Sequence, residues 1–331
     1  MKQVLYLLFI ILIIGKISGV SAAEKKNMYK QTRFMLDTYV TIHVFDYESV
    51  ANDAIIRAFN RMQSLDVKFN HLNPKSPIFE FNQYGSPITD PEILKVVRVA
   101  LDVSRVTDGA IDITICPLVE LWGFYGESPH VPNENDIKDC LKKIGYKNLK
   151  LSEDKLERLT EVKIDLGALA KGYIISQAVE VLKENNISSG LVDAGGKVYA
   201  LGKKEGKMWK VGIRDPRKEA SLGYLEISDA AIGGSGDYER FFMENGIRYH
   251  HILSPKTGYP AKGIIACTTI HKEPLIVDVW NTTLVAMGDP VKAIETAEQV
   301  KDLQAIIVTD DGSVLCTSEL NKNMNIIKKA D

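Results

Sequence analysis

Short segments in which apolar and polar residues alternate are the pattern that most limits the fold of this chain. Such segments cover Trp209–Ile213, Leu222–Ile227 and Arg248–Leu253, and they are typical of antiparallel strands with one face in water. Helical spacing of apolar residues intervenes, for example over Glu48–Val67. The elements do not follow a regular βαβ order, and no G-x-G-x-x-G sequence follows a strand. The sequence therefore predicts an α+β fold rather than a Rossmann sheet.

Other segments give more local expectations. The alternation over Phe34–Phe45 predicts one continuous strand, and the polar stretch Asn70–Ser86 predicts a loop. A short strand is predicted at Val162–Ile164. Helices are predicted over Leu169–Glu184 and over Asp278–Met287, the second ending before a glycine.

The first 23 residues predict a secretory signal peptide. Lys2 supplies the positive start, Val4–Ile14 is apolar apart from Tyr6, and Val20-Ser21-Ala22 resembles a cleavage site. The apolar run is short for a membrane span of about 20 residues. An uncleaved N-terminal anchor is the alternative, because Lys16 closes the run only in part. We therefore expect an exported protein with one domain over residues 24–331.

Composition excludes some partners. The 331 residues carry a net charge of −2 and no block of Lys or Arg, so we expect no nucleic-acid partner. The four cysteines show no C-x-x-C spacing, which argues against a zinc or redox motif. An exported protein could pair them in three ways, among which the sequence does not choose, and buried free thiols are the favoured alternative.

The stretch Ala231–Pro260 concentrates turns and titratable side chains. It holds a Gly-Gly-Ser-Gly turn, Asp237, two adjacent histidines and a Ser-Pro-Lys-Thr-Gly turn. On a strand, His250 and His251 would face opposite ways. An inward histidine can be a core residue, and the neighbouring glycines and hydroxyls make a catalytic role the alternative.

Two other segments could hold a phosphate and a metal. In VDVWNTT, Asp278 and Thr282 lie four residues apart, so a helix would present both oxygens on one face. Hard oxygen donors suit Mg²⁺, which completes its shell with substrate phosphates. In DLGALAKG, Gly167 allows a close backbone approach, and Lys171 adds a positive charge near a helix start. The structural alternatives are a helix cap at Asp278 and a solvated lysine at Lys171.

Two further motifs are weaker. VDAGGKVYALG predicts a strand, a turn at Gly195-Gly196 and a second strand. WKVGIRDP places Arg214 at a strand end, where a surface ion pair with Asp215 is an equally simple interpretation.

These segments, in this order, resemble the ApbE family, the FAD:protein FMN transferases. The resemblance spans nearly the whole chain after the leader and rests on the following motifs: Met35–Thr38, Ser76 and Asn82, TDGAIDITICPLVELWGF from Thr107, DLGALAKGY, VDAGGKV, WKVGIRDP, SGDYERFF, HHILSPKTGYP and VDVWNTTLVAMG.

The resemblance implies an ApbE-like (T-fold-like) α+β architecture and a Mg²⁺-dependent reaction. Enzymes of this family split FAD, release AMP and join FMN to a threonine of a target protein through a phosphoester bond. Hydrolysis of FAD to FMN and AMP, or flavin binding without catalysis, are the alternatives. The expected partner is an acceptor protein with a target threonine, such as a membrane-associated electron-transfer subunit. The expected location is the periplasm or the outer face of a bacterial cytoplasmic membrane.

The resemblance also implies roles for individual residues. The metal ligands would be the side chains of Asp278 and Thr282 with the carbonyl of Ala168, and His251 or Asp237 would accept the proton. Cofactor contacts are expected from the following residues: Met35, Thr38, Leu72, Asp112, Lys171, Gly195, Gly196, Arg214, Ser235, Gly236 and Thr257.

The chain departs from the family pattern at three places. Leu72 stands where many members have a tyrosine, and Lys197 stands where Asp or Asn usually follows the paired glycines. Trp280 and Asn281 replace small residues within the metal motif. The donor types survive, so the metal site remains the expectation, whereas flavin affinity and the balance of transfer and hydrolysis are left open.

Overall fold

The computed structural model describes residues 25–322 of the chain. The leader predicted at residues 1–23 lies outside this range, as do residues 24 and 323–331 of the predicted domain. No helix in the described range has the length and hydropathy that crossing a membrane requires.

Antiparallel strands and packed helices make up the described chain. The strands are β1 (Asn27–Met35), β2 (Thr38–Asp46), β3 (Leu149–Leu151), β4 (Leu156–Arg158), β5 (Gly190–Ala194), β6 (Lys197–Leu201), β7 (Trp209–Arg214), β8 (Ser221–Ile227), β9 (Ala230–Gly236), β10 (Phe241–Glu244), β11 (Ile247–His250), β12 (Ile264–His271), β13 (Gln304–Thr309) and β14 (Val314–Cys316). The helices are α1 (Glu48–Phe69), α2 (Pro77–Tyr84), α3 (Pro91–Val106), α4 (Cys116–Leu121), α5 (Glu134–Leu141), α6 (Gly167–Glu184), α7 (Pro274–Met287), α8 (Pro290–Gln299) and α9 (Ser318–Lys322).

One large sheet organises the molecule. Its strand order is β1-β2-β5-β6-β9-β12-β13-β14, and every neighbouring pair is antiparallel. The remaining strands form three separate hairpins, β3–β4, β7–β8 and β10–β11. The architecture is α+β with antiparallel sheets and packed helices, which confirms the predicted class.

Helix α6 contacts both α1 and α7, and all three helices contact the large sheet, so their apolar side chains form the main core with those of the sheet. A second apolar cluster joins Val198, Ile232 and Ile270 of the large sheet to Ile213 and Leu225 of the β7–β8 hairpin. Because every strand alternates its side chains between faces, the sheet can contribute to both clusters at once.

The continuous strand predicted over Phe34–Phe45 is wrong. Leu36 and Asp37 both have φ of 55°, and they form the turn that divides β1 from β2. Asp residues tolerate this left-handed conformation better than most, but a leucine there gives no sequence signal. The alternation continues through the turn, which is why the pattern alone does not show it.

Two other local predictions are also wrong. The predicted loop Asn70–Ser86 contains α2, because the Ser76 hydroxyl caps it by accepting the Ile78 N–H at 3.1 Å and Pro77 occupies the first helical position. The strand expected at Val162–Ile164 does not form, and the partner of β3 is β4.

The structure has the four cysteines as free thiols. Three of them, Cys116, Cys140 and Cys267, are buried, which agrees with the favoured alternative.

Candidate active site

A close contact between α6 and α7 brings two predicted motifs together. The Gly172 N–H of α6 donates to Oδ2 of Asp278 on α7 at 2.7 Å. A Cβ atom at position 172 would lie 2.4 Å from the Pro274 carbonyl oxygen and 2.6 Å from Cβ of Asp278. Only a glycine allows the helices to approach this closely, so Gly172 fixes the start of α6 against the first two turns of α7.

Asp278 is completely buried and both of its oxygens have donors. Oδ2 accepts the Gly172 N–H, and Oδ1 forms an ion pair with the ammonium of Lys197 at the start of β6. The side chain of Lys197 is only 12% exposed. Because α7 begins at Pro274, Asp278 lies in its second turn, and the helix-cap interpretation is wrong.

Hydroxyl groups meet one turn further along α7. The Thr282 Oγ1 lies 3.1 Å from the Ser235 Oγ of β9 and donates to the Asn281 Oδ1 at 3.1 Å. The Asn281 Nδ2 is buried without a hydrogen-bond partner. A buried amide without a partner is uncommon in a native protein, and it marks a place where a further acceptor could be received.

The oxygen atoms available at this site are of the type that a hard cation prefers. Asp278 and Thr282 lie on one face of α7, and Ala168 is exposed in the first turn of α6. No group of three or more His, Cys, Asp or Glu residues suited to a metal occurs within residues 25–322. One carboxylate with neutral oxygens is a donor set that Mg²⁺ uses together with substrate phosphates. The Lys197 ammonium holds this carboxylate, so the lysine and a cation would use the same oxygen.

A group of basic side chains surrounds this carboxylate. Burial lowers the pKa of Lys171, and the charge of Lys197 lowers it further. Arg240 lies 3.8 Å from Asp37 in the β1–β2 turn, and its charge also lowers the pKa of Lys171. Lys171, Lys197 and Arg240 outnumber the carboxylates of Asp278 and Asp37 by one positive charge, which favours an anionic ligand such as a diphosphate.

His251 faces the same basic group. Burial lowers its pKa to about 3, with further contributions from Arg240, His250 and Lys171. Its Nδ1 lies 3.3 Å from the Arg240 carbonyl oxygen. His250 lies in the interior, where its Nε2 is 2.8 Å from the Ala261 carbonyl oxygen. β11 ends at His250 and the half-buried His251 follows it, so the strand predicted through Leu253 is wrong beyond His250.

Asp237 is held by arginine. Arg217 contacts both carboxylate oxygens, at 2.7 and 2.6 Å, and Arg248 lies 3.6 Å away. Both carboxylate oxygens of Asp237 are thus occupied by charged donors. The structure therefore gives Asp237 an ion-pair role, and it favours His251 among the two residues predicted to act as the base.

Several predicted flavin contacts lie at one end of the central strands. A Cβ at Gly195 would lie 2.5 Å from the Thr38 Oγ1, so the turn of Gly195 and Gly196 packs directly against the β1–β2 turn. Both glycines have positive φ, at 63° and 85°. Met35 is buried at the end of β1, beside Thr38. Lys197 follows this turn, while Ser235 and Gly236 end β9.

The structure does not gather the remaining predicted contacts as clearly. Leu72 and Thr257 are exposed on loops, and Arg214 lies over the Tyr238 ring at 4.8 Å. Asp112 is buried, which raises its pKa, and it accepts the N–H groups of Thr114 at 2.8 Å and Tyr146 at 2.7 Å. These bonds give Asp112 a loop-holding role.

Sequence patterns missed a polar group under the DLGALAKG motif. Asp165 accepts the Tyr125 hydroxyl at 2.6 Å and the Gly167 N–H at 2.7 Å, and it lies 3.3 Å from His71. Burial alone would raise the pKa of Asp165, but the bonds from His71 and Tyr125 hold it below its usual value. The three side chains come from distant segments, and only Asp165 belongs to a motif that the sequence pointed to.

The fold and the site define an α+β protein with basic side chains around one buried carboxylate, a class suited to phosphate chemistry. The ApbE family pattern matches residues 36–307, and the chain belongs to the ApbE family. The motif resemblance is thereby confirmed.

Known relatives carry the name of a transferase. The chain is 32% identical to an FAD:protein FMN transferase of Klebsiella pneumoniae over 267 residues, which covers 78% of this chain and 79% of that protein. It is 31% identical to one from Haemophilus influenzae, covering 81% and 82%. The solved ApbE protein of Thermotoga maritima superposes with a TM-score of 0.84 at 30% identity, covering 92% of this chain and all of that one. These names confirm the assignment to an enzyme family.

Proposed function

We propose that this protein transfers FMN from FAD to a threonine hydroxyl of an acceptor protein, forming a phosphoester bond and releasing AMP. The observation that supports this most directly is the α6–α7 contact, which brings Lys171 and Asp278 into one site with an excess of positive charge. The relatives named above are FAD:protein FMN transferases, which indicates FAD as the substrate that this site binds.

The charges of the site residues explain how they would act on the FAD diphosphate. The FAD diphosphate is anionic, and attack by a hydroxyl adds negative charge to the oxygens around the phosphorus that is transferred. Lys171 and Arg240 would stabilise this charge, which is usually the largest contribution to such reactions. Asp278, Thr282 and the Ala168 carbonyl would hold Mg²⁺. When bound, the ion neutralises charge on the diphosphate.

His251 is the proposed proton acceptor for the threonine hydroxyl. Its pKa of about 3 makes the free imidazole neutral but weakly basic. Part of this lowering comes from the positive charges of Arg240 and Lys171. A bound diphosphate would offset those charges and raise the pKa, while burial, the largest cause of the lowering, would continue to oppose protonation. Asp237, through its pair with Arg217, would support the strand end beside this histidine.

We also propose that the protein acts outside the cytoplasm, on a membrane-associated electron-transfer subunit. This proposal rests on the leader pattern of residues 1–23.

Incubation with FAD, Mg²⁺ and an acceptor domain tests the function. We expect the acceptor to gain the mass of FMN, and the same domain with its threonine changed to alanine to gain none. Free FMN and AMP with an unmodified acceptor would instead identify an FAD pyrophosphatase. Unchanged FAD that remains bound would identify a flavin-binding protein and would contradict the transferase proposal.

A further inference from the structure

The ion pair between Lys197 and Asp278 puts a fixed positive charge on the carboxylate that the proposed metal site requires. Lys197 enters from β6, and its ammonium contacts Oδ1 while the Gly172 N–H contacts Oδ2. Neither partner is on the surface, since their side chains are 12% and 1% exposed. A pair this enclosed is weakly screened by salt, so its effect on another cation is strong.

The surroundings of Lys197 are shaped to hold its side chain. Gly233 of β9 lies opposite, where a Cβ would come within 3.4 Å of Cγ of Lys197 and 3.2 Å of Nδ2 of Asn281. Gly195 and Gly196 form the turn directly before Lys197, and the Gly196 N–H donates to Asp193 at 2.9 Å. The absence of a side chain at Gly233 leaves room for Lys197 to reach α7.

We propose that Lys197 is a resident cation of the site: its ammonium neutralises Asp278, and a divalent ion binds there only by displacing it. Mg²⁺ bound to the Asp278 carboxylate would otherwise lie in contact with an ammonium, and two cations at this separation repel strongly. Lys197 therefore sets the metal affinity of the site and keeps the protein charge-balanced without metal. The inference rests on the metal site of the proposed function.

Titration with Mn²⁺, followed by the electron paramagnetic resonance signal of the free ion, tests the proposal on the full chain without FAD or acceptor. We expect Lys197→Asn to bind Mn²⁺ about tenfold or more tightly than the wild type, as removal of an adjacent unit charge predicts. The unfolding temperature of Lys197→Asn should rise with Mg²⁺ over a range in which that of the wild type does not move.

Two controls assign the effect to this ion pair. Lys203→Asn changes the same net charge at an exposed position on the end of the same hairpin, and it should bind as the wild type does. The double variant Lys197→Asn/Asp278→Asn should lose the gain. Equal Mn²⁺ affinity in the wild type and Lys197→Asn overturns the proposal, and so does an equal gain in Lys203→Asn or a gain retained by the double variant.

Lys197→Gln serves as a second variant if Lys197→Asn does not fold, because its amide can still donate to Asp278. Wild-type affinity in Lys197→Gln would also overturn the proposal. Lys197→Arg keeps the charge and should keep the low affinity. Because the titration uses no FAD, an inactive protein can still support this inference and an active transferase can still contradict it.

Discussion

Asp278 shows how neighbours, more than residue type, give a side chain its chemistry. Its spacing from Thr282 predicted a shared helical face, and both residues do lie on α7, four positions apart. Its burial, its bond to Gly172 and its pair with Lys197 come from β6 and α6, which lie far away in sequence. Asp237 is the opposite example, since Arg217 occupies the carboxylate that the motif suggested as a base.

Replacing Asp278 should abolish the reaction. We expect Asp278→Ala to lower FAD-dependent AMP release by about 100-fold or more, because the variant loses the carboxylate that would hold Mg²⁺, and losing one group that offsets a developing charge costs about this much. AMP release measured by chromatography checks this. Glu295→Ala, at an exposed position on α8, is the matched control and should retain wild-type activity. Full activity in Asp278→Ala would remove the proposed metal from the reaction.

His250 should make stability depend on pH. Burial lowers its pKa from the usual 6.5, although the charge of Asp237 opposes this. The unfolded chain therefore takes up a proton below pH 6.5 that the folded protein resists. The resulting stability is fully present above that pH and is lost as the pH falls through the folded pKa.

Chemical denaturation at several pH values measures this effect. Below pH 6.5, the free energy of unfolding should fall less steeply in His250→Gln than in the wild type. The difference should be at most one proton, or about 1.4 kcal/mol per pH unit. His130→Gln, at an exposed histidine, should keep the wild-type slope. Identical slopes in the wild type and His250→Gln would contradict the prediction.

Among the elements, α6 and α7 matter most for the site. Both helices were predicted from periodicity, but each starts earlier than expected, at Gly167 and at Pro274. Their contact depends on one glycine within a helical pattern, which a sequence alone shows only as a residue unfavourable to the helix. Helix α2 was not predicted because its segment is polar. The Ser76 cap and Pro77 at the first helical position nevertheless favour a helix there.

Gly172→Ala tests the helix contact. Alanine in an isolated helix is more stable than glycine by about 1 kcal/mol, yet its Cβ here would overlap the Pro274 carbonyl oxygen. We expect a net loss of about 1–3 kcal/mol in unfolding free energy, as overpacking produces, together with reduced FAD turnover. Glu180→Ala on the exposed side of α6 should change stability by less than about 0.5 kcal/mol. A Gly172→Ala protein more stable than the wild type would mean that the contact is looser than the structure shows.

The whole molecule is held by burial around one large sheet, with no disulfide in the described range. Denatured, unreduced protein should therefore react with four equivalents of a thiol reagent, one for each cysteine of the chain. In the native state, Cys316 should react first because the other three are buried. Two equivalents or fewer under denaturing conditions would indicate a disulfide and contradict the structure.

Local and periodic properties could be read from the chain itself. Periodicity gave the α+β class and the three helices α1, α6 and α7, and the ordered motifs gave the family. These features depend on neighbours a few residues apart, so the linear order carries them. The hairpin turn at Leu36 and Asp37 escaped because its backbone angles leave the alternation of side chains unchanged.

The tertiary structure alone determined which charged groups lie around Asp278. Lys197 meets Asp278 across 81 positions of the chain, and Gly172 meets it across 106. No local pattern encodes which of several lysines reaches a given carboxylate, because that choice follows from strand order and helix packing. Burial and the resulting charge pairing therefore arise only when the sheet and its covering helices have assembled.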